Sequence, residues 1–206
     1  MGYLFTRVEK GALDQTRSLR INLNKFKLSS ENKRILKKTE SVNLSAEPIP
    51  CANYSWEIGK LGKDFYDTKF GKGTFSANKI KELMTDEKKS NFNLVMLYAM
   101  GDAVGANGRS PLPDPIGYAI CRETNELIHY CYPFYHLPPT SYKLPPNTGL
   151  GMMLKAILYA QEHGKKYVYL GSAQRSTDTY KLQFEGLEWF DGKQWQTNLE
   201  ELKKIL

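Results

Sequence analysis

Residues 147–171 read NTGLGMMLKAILYAQEHGKKYVYLG, and this stretch decides the architecture. It opens on a glycine-bearing turn in which Asn147 or Thr148 stands as a helix cap. Leu154, Ile157, Leu158 and Gln161 then mark the faces of a helix predicted over Leu150–His163. Gly164 stands where a helix C-terminus favours glycine, and Lys166–Leu170 follows as a short buried strand. Upstream, Ile116–Arg122 and Leu127–Tyr135 read as two strands joined by the polar turn Glu123–Glu126, an antiparallel meander. Phe92–Met100 is a further strand by its β-branched and aromatic run. Between these elements, Asp102–Pro115 is a loop dense in Gly and Pro, and Pro138, Pro139, Pro145 and Pro146 impose a rigid, non-helical connection.

Outward from this centre the signals thin. Leu19, Ile21 and Leu23 alternate with Arg20, Asn22 and Asn24, the period of a half-buried strand. Ser29 or Ser30 then caps a helix through Lys38, and Ser76 caps another through Met84. Residues 45–63 stay ambiguous because Pro48 and Pro50 interrupt their start, and Tyr180–Phe184 has no clear assignment. Leu187–Gln196 suggests a hairpin turning at Asp191-Gly192, and Leu199–Leu206 a terminal helix. The whole predicts an α/β or α+β sheet with a ligand at the strand-to-helix turn, where unpaired N–H groups and the helix dipole suit a phosphate.

At 206 residues with 41% apolar and 25% charged side chains, the chain has the composition of one large globular domain or two small ones, not of a disordered or fibrous protein. Apolar runs such as Leu94–Met100 fall far short of the roughly 20 residues a bilayer crossing needs. No signal-peptide pattern opens the sequence, so a cytoplasmic protein without a membrane partner is expected. Cys51, Cys121 and Cys131 are odd in number and widely spaced, and His129, His136 and His163 form no ligand cluster with them. Neither a disulfide framework nor a metal site is therefore expected. The net charge is +7, and residues 1–40 hold ten basic groups against four acids. So concentrated a positive field attracts polyanions, although a merely solvated face gives the same count.

The order of strands, glycine turn, helix, strand and tyrosine resembles the GCN5-related N-acetyltransferase (GNAT) fold. There the glycine turn holds a pyrophosphate and a tyrosine past the next strand protonates the leaving group. A closer resemblance, spread from residue 3 to residue 195, is to the arginyl-tRNA–protein transferases and their bacterial relatives that pass leucine. Its motifs are Gly149-Leu150-Gly151, Ala156-Ile157-Leu158-Tyr159-Ala160 with Gly164, Tyr167-Val168-Tyr169-Leu170-Gly171, Tyr180-Lys181 with Phe184, and Gly192 with Trp195. Arg20 to Phe26, Ser29-Ser30 and Arg34-Ile35-Leu36-Lys37-Lys38 are similar to the same family's N-terminal strand and helix. Two departures stand out. The family's cysteine motif is replaced by Gly11-Ala12-Leu13-Asp14-Gln15-Thr16, and its aromatic-Asp-Pro motif near Tyr132-Pro133 lacks the aspartate. The chain is also short for the family.

The resemblance implies a basic strand–helix segment at 1–45 packed on a transferase domain at 46–206. It implies aminolysis of an aminoacyl-tRNA ester by a protein N-terminus, probed best with an acidic one, and no cofactor beyond that co-substrate. Tyr180 would give the leaving oxygen its proton, with Lys181 lowering the phenol's pKa or holding the terminal phosphate; packing in the core is the alternative for Tyr180. Thr148, Gly149, Gly151, Tyr130 and Tyr169 would line the substrate, and Gln174, Asp178 and Gln183 would grip the amine. Backbone N–H groups where Leu127–Tyr135 separates from Lys166–Leu170 would polarise the carbonyl. Arg17, Arg20, Lys33, Arg34, Lys37 and Lys38 would bind tRNA phosphates. The aromatic run Tyr130, Tyr132, Phe134 and Tyr135 would clamp the terminal adenine or line an aminoacyl pocket. The alternative is that alternate members such as Tyr130, Tyr132 and Phe134 face the core, which is expected for most of the run. Two rival readings use the same fold: an acyl-CoA-dependent N-acyltransferase taking acetyl-CoA at the glycine turn, and a non-catalytic RNA- or partner-binding module.

Overall fold

A computed structural model describes residues 2–101, 115–138 and 143–206. The loop expected at Asp102–Pro115 lies outside the described residues up to position 114, as does Pro139. The chain opens with a small hairpin, β1 (Tyr3–Phe5) and β2 (Leu13–Gln15), followed by β3 (Ser18–Asn22), α1 (Ser30–Lys38) and β4 (Val42–Pro48). Then come α2 (Trp56–Phe70), α3 (Ala77–Thr85), β5 (Leu94–Met100), β6 (Pro115–Glu123) and β7 (Leu127–Tyr135). The last part holds α4 (Thr148–Glu162), β8 (Tyr167–Ser172), a 3₁₀ helix (Ser176–Gln183), β9 (Leu187–Phe190), β10 (Trp195–Gln196) and α5 (Leu199–Lys204).

Among the described residues, β3–β10 form one mixed sheet in the order β10-β9-β3-β8-β7-β6-β5-β4, and the pairing is antiparallel everywhere except between β7 and β8. Antiparallel β6–β7, then α4, then a strand parallel to β7 is the GNAT-like α/β arrangement expected. The parallel step needs a crossover, and α4 supplies it. One apolar cluster packs α1, α4 and α5 on one face of the sheet. The other packs α2 and α3 on the opposite face. Met152, Leu154 and Ile157 on α4 are fully buried, each stabilising the fold by roughly 2 kcal/mol through lost apolar surface.

The local reasons are legible. Ser29 accepts from the Asn32 N–H at 3.1 Å and Asn32 accepts back from the Ser29 N–H at 3.3 Å, so α1 starts with a reciprocal cap. Ser76 caps α3 through the Lys79 N–H. Asn147 takes a left-handed conformation (φ 65°) at the head of α4, and Gly164 (φ 66°) leaves the helix at its tail. The ambiguous 45–63 resolves into β4 and α2. β4 is an edge strand, where Pro48 costs no ladder bond. Gly59 and Gly62 disguise α2 as a loop in sequence. They are needed because a Cβ at Gly59 would strike the Tyr54 hydroxyl and one at Gly62 would lie 2.5 Å from Ile80 Cδ1 on α3. The residues at 1–45 do not sit apart from the sheet: β3 pairs with both β8 and β9, α1 packs on α4, and β4 spans position 45.

Candidate functional site

Among the described residues, the sheet opens between β7 and β8. The parallel ladder between β7 and β8 covers Leu127↔Tyr167, Ile128↔Val168 and His129↔Tyr169 and then ends. β7 runs on to Tyr135, and β8 continues to Ser172 against β3. The parting coincides with a register break in β7: Ile120 faces Tyr132 while Cys121 faces Tyr130, leaving Cys131 as an inserted residue. Such bulges bend and twist a strand and often lie beside active sites.

The bulge also corrects the expectation that Tyr130, Tyr132 and Phe134 share a side by simple alternation. Tyr130 packs into the cluster under α4, whereas Tyr132 and Phe134 pack toward α2 and α3. Tyr130 is 2% exposed and its hydroxyl lies beside that of Tyr98, which donates to the Met152 carbonyl at 3.0 Å. Tyr130 is therefore core and clamps no base. Cys131 Sγ sits 3.0 Å from His129 Nε2. Burial holds the imidazole neutral, with its pKa pushed down to about 3, and pushes the thiol well above its ordinary range. The pair is inert packing and not an activated thiolate.

α4 begins beside the opening, and its two glycines face different partners. A Cβ on Gly149 would lie 2.8 Å from the Tyr135 hydroxyl. A Cβ on Gly151 would lie 2.5 Å from Thr39 Oγ1 at the end of α1. Gly149 thus adjoins the last residue of β7, while Gly151 is placed in the buried α1–α4 contact. Thr148 is buried, and its hydroxyl donates to the Pro145 carbonyl at 2.6 Å, pinning the proline turn. Tyr169 is buried between the rings of His129 and Trp195, away from α4. Gly149 alone among these lines the opening.

The 3₁₀ helix follows the end of β8. Lys181 Nζ donates to the Ser172 carbonyl at 2.8 Å and to Asp178 Oδ1 at 3.2 Å. Asp178 Oδ2 accepts from the Gln174 and Arg175 N–H groups, each at 3.1 Å. Burial pushes the Asp178 carboxyl up, but Lys181 and the two N–H donors outweigh it and hold it below the usual range. Lys181 is 9% exposed, and burial lowers its pKa against the pull of Asp178. This lysine fastens the helix to the strand; it does not project toward a phosphate. Tyr180 beside it is 48% exposed, and Gln183 Nε2 donates to its carbonyl at 2.6 Å. The expectation that Lys181 lowers the Tyr180 pKa is corrected. Partial burial, with Asp178 and Tyr135 nearby, pushes the phenol up to about 12. Tyr180 is therefore a fully protonated donor near neutrality. Tyr135 is near enough to influence it, and burial raises its own pKa as well.

The expected cations separate into two kinds. Arg20 is fixed: Nε and Nη2 both reach Glu188 Oε2 at 2.7 Å, and its guanidinium lies 4.1 Å from the Tyr167 ring and 3.9 Å from the Trp195 ring. Arg17 donates to the Ala173 carbonyl at 3.0 Å. Lys33, Arg34, Lys37 and Lys38 are exposed along α1, with Arg34 paired to Glu31 at 2.5 Å. The exposed basic face is thus that of α1, the helix packed on α4. On the far side of Tyr135, α2 and residues 135–138 enclose a groove of about 430 Å³ lined by Glu57, Lys60, Asp64 and Phe65. Tyr135, which in the sequence is only one of four aromatics in a run, borders both the groove and Gly149. Its place at the end of a strand preceding the glycine turn was the available signal.

Among the described residues no three metal-ligating side chains come together, and no helix is long and apolar enough to cross a membrane. No family model and no curated protein matches the chain. Solved structures similar to the chain at low identity include the following three. The structure of L-PGS from Bacillus licheniformis shares 12% identity over 82% of this chain and 46% of that one, with a TM-score of 0.49. The C-terminal domain of a putative lysylphosphatidylglycerol synthetase from Agrobacterium fabrum shares 11% over 80% and 49%, at 0.47. FemX shares 11% over 99% and 62%, at 0.49. This chain spans about half to three fifths of the length of those proteins.

Proposed function

We propose that the protein is an acyltransferase that moves an aminoacyl group from aminoacyl-tRNA to an amine. In its narrowest form the amino acid is arginine or leucine and the acceptor an acidic protein N-terminus. The observation that carries this reading is the parting of β7 from β8 beside the head of α4, with the protonated phenol of Tyr180 presented next to it.

The chemistry asked of the site is modest. A neutral amine nitrogen attacks the ester carbonyl carbon, the carbon–oxygen bond to the ribose breaks, and one proton passes from nitrogen to the departing oxygen. Tyr180 gives that oxygen a proton and regains one from the ammonium that forms. A phenol pushed up to about 12 suits an alkoxide leaving group, whose proton affinity is similarly high. Backbone N–H groups of the parted strands polarise the carbonyl, and holding ester and amine together supplies much of the remaining rate. Lys181, Asp178 and the Ser172 carbonyl act through Tyr180 by fixing the segment that carries it. The lysines of α1 draw the polyanion toward α4.

The test supplies radiolabelled amino acids on a charged tRNA pool, or labelled acetyl-CoA, together with peptides beginning in Asp, Glu or Ala. Label passing from tRNA to the acidic peptides is the expected result. Label from acetyl-CoA alone replaces the donor and keeps the site. Salt-sensitive tRNA binding without any transfer overturns the enzyme reading.

A further inference from the structure

One exposed surface is used by nothing above. α2 ends at Phe70, which is 52% exposed although its ring stacks on buried Tyr66 at 5.6 Å and 27°. The Arg175 guanidinium, from the head of the 3₁₀ helix, lies 5.7 Å from the Phe70 ring centroid. Tyr66 is also near enough to Tyr180 to feel its charge, so the exposed Tyr180 ring belongs to the same neighbourhood. Lys69 and Lys72 flank Phe70 on the exposed side, and Asp67, the nearby acid, is already held by Lys63 at 2.6 Å and by the Gly73 N–H at 2.9 Å. Two exposed aromatic rings, a planar cation and two lysines make a surface on which flat, anionic ligands are favoured from both sides. Ring faces stack a base of any identity, and the cations meet its phosphates.

We propose that Phe70, Arg175, Lys69 and Lys72, next to Tyr180, bind a single-stranded RNA end, with a base stacked on Phe70. The kind of RNA, the 3′ end of the donor, rests on the functional reading above; binding itself does not. No sequence signal marked this surface, because Phe70 and Arg175 are 105 positions apart.

An RNA pentamer carrying 2-aminopurine at its 3′ terminus tests this, read by fluorescence quenching on titration with the full chain. Quenching on the wild type is expected, and Phe70→Ala should weaken binding at least about 10-fold, the effect of losing one stacked base. Arg175→Lys keeps the charge but loses the planar face, and should weaken binding several-fold. Trp56→Ala removes the other exposed aromatic of α2, fourteen residues and about 21 Å away, and should change nothing. Phe70→Leu serves as a second variant, with thermal melting to show that each protein is folded. Affinities within 2-fold of wild type for folded Phe70→Leu and Arg175→Lys would overturn the proposal, as would equal loss in Trp56→Ala. A protein that binds the pentamer here yet transfers nothing keeps this inference and loses the enzyme reading. One that transfers normally while Phe70→Leu binds normally loses this inference alone.

Discussion

Replacing Gly149 and Gly151 one at a time with Ala should separate function from packing within a single turn of helix. At Gly151 the added Cβ meets three atoms of one buried side chain, Thr39 Oγ1 at 2.5 Å, Cγ2 at 2.6 Å and Cβ at 2.8 Å. Ordinary contact begins near 3.5 Å, so α1 and α4 must move apart by close to 1 Å. Overpacking of that kind costs about 1–3 kcal/mol, and the helix preference for Ala over Gly returns up to about 1 kcal/mol. The net loss is about 0–2 kcal/mol, or a drop of up to roughly 8 °C in Tm for a chain this long. At Gly149 the Cβ meets the outer half of the Tyr135 ring, at 2.8 Å from Oη and 3.0 Å from Cε1. That ring is half-buried and can rotate, so stability should change by less than about 1 kcal/mol, while the wall of the opening shifts by several tenths of an ångström. Displacements approaching 1 Å at a reacting centre cost on the order of 100-fold. Thermal melting and single-turnover transfer, run side by side, should show Gly149→Ala folded and slow and Gly151→Ala destabilised but active when folded. The opposite pattern, with Gly151→Ala stable and inactive, would refute the placement of Gly151 in a helix contact and return it to the ligand.

Four further outcomes follow from the geometry. Tyr180→Phe removes the proposed proton donor and should lower kcat by about 10²–10⁴-fold with KM nearly unchanged, and an unaltered kcat removes Tyr180 from the reaction. His129 is neutral in the fold, with a pKa pushed down to about 3 from 6.5, so its contribution is present above 6.5 and is lost as pH falls from there toward 3. Denaturant titrations should show wild type losing up to about 1.4 kcal/mol per pH unit across that window relative to His129→Asn, whose curve should lack this component. Arg20→Ala leaves buried Glu188 with the Asn22 Nδ2 donor at 3.4 Å and exposed Lys25 at 3.9 Å, and should cost about 3 kcal/mol without altering the salt dependence of RNA binding. Charge reversal at Lys33 and Lys37 should do the reverse, flattening the salt slope at unchanged Tm.

The central half of the fold was legible because its signals are local. The helix at 148–162, the meander at 115–135 and the hairpin at Asp191-Gly192 each announce themselves through period or turn residues, although neither Asn147 nor Thr148 caps that helix through its side chain. What stayed hidden depends on partners distant in sequence. α2 reads poorly because Gly59 and Gly62 answer to Tyr54 and Ile80, and β4 is an edge strand whose Pro48 looks like a break. The bulge at Cys131 is marked only by Pro133 two residues on, a proline inside a central strand, and it sends Tyr130 and Tyr132 to opposite faces and defeats any reading by strict alternation. The basic count in residues 1–40 was correct as a count, but it could not distinguish Arg20, stacked between two rings and paired to Glu188, from Lys37 in open solvent.

The same distinction governs Tyr180 and Lys181. Adjacent in sequence, they invite the idea of a cation tuning a phenol. Residues in a 3₁₀ helix are about 120° apart around the axis, so neighbours cannot present the same face. One of the two must turn inward, and the fold selects the lysine, because the end of β8 offers it the Ser172 carbonyl and Asp178 closes the ion pair. That inward turn is what leaves Tyr180 facing out. Once the ion pair is satisfied internally, its positive charge is cancelled by Asp178 at 3.2 Å, and the carboxylate's own effect on the phenol is to raise it. The arrangement therefore favours a donor that keeps its proton until an alkoxide forms beside it and disfavours a standing phenolate. A site whose only demand is to protonate a departing oxygen is served by that choice, and a site needing a tyrosine nucleophile or base is not.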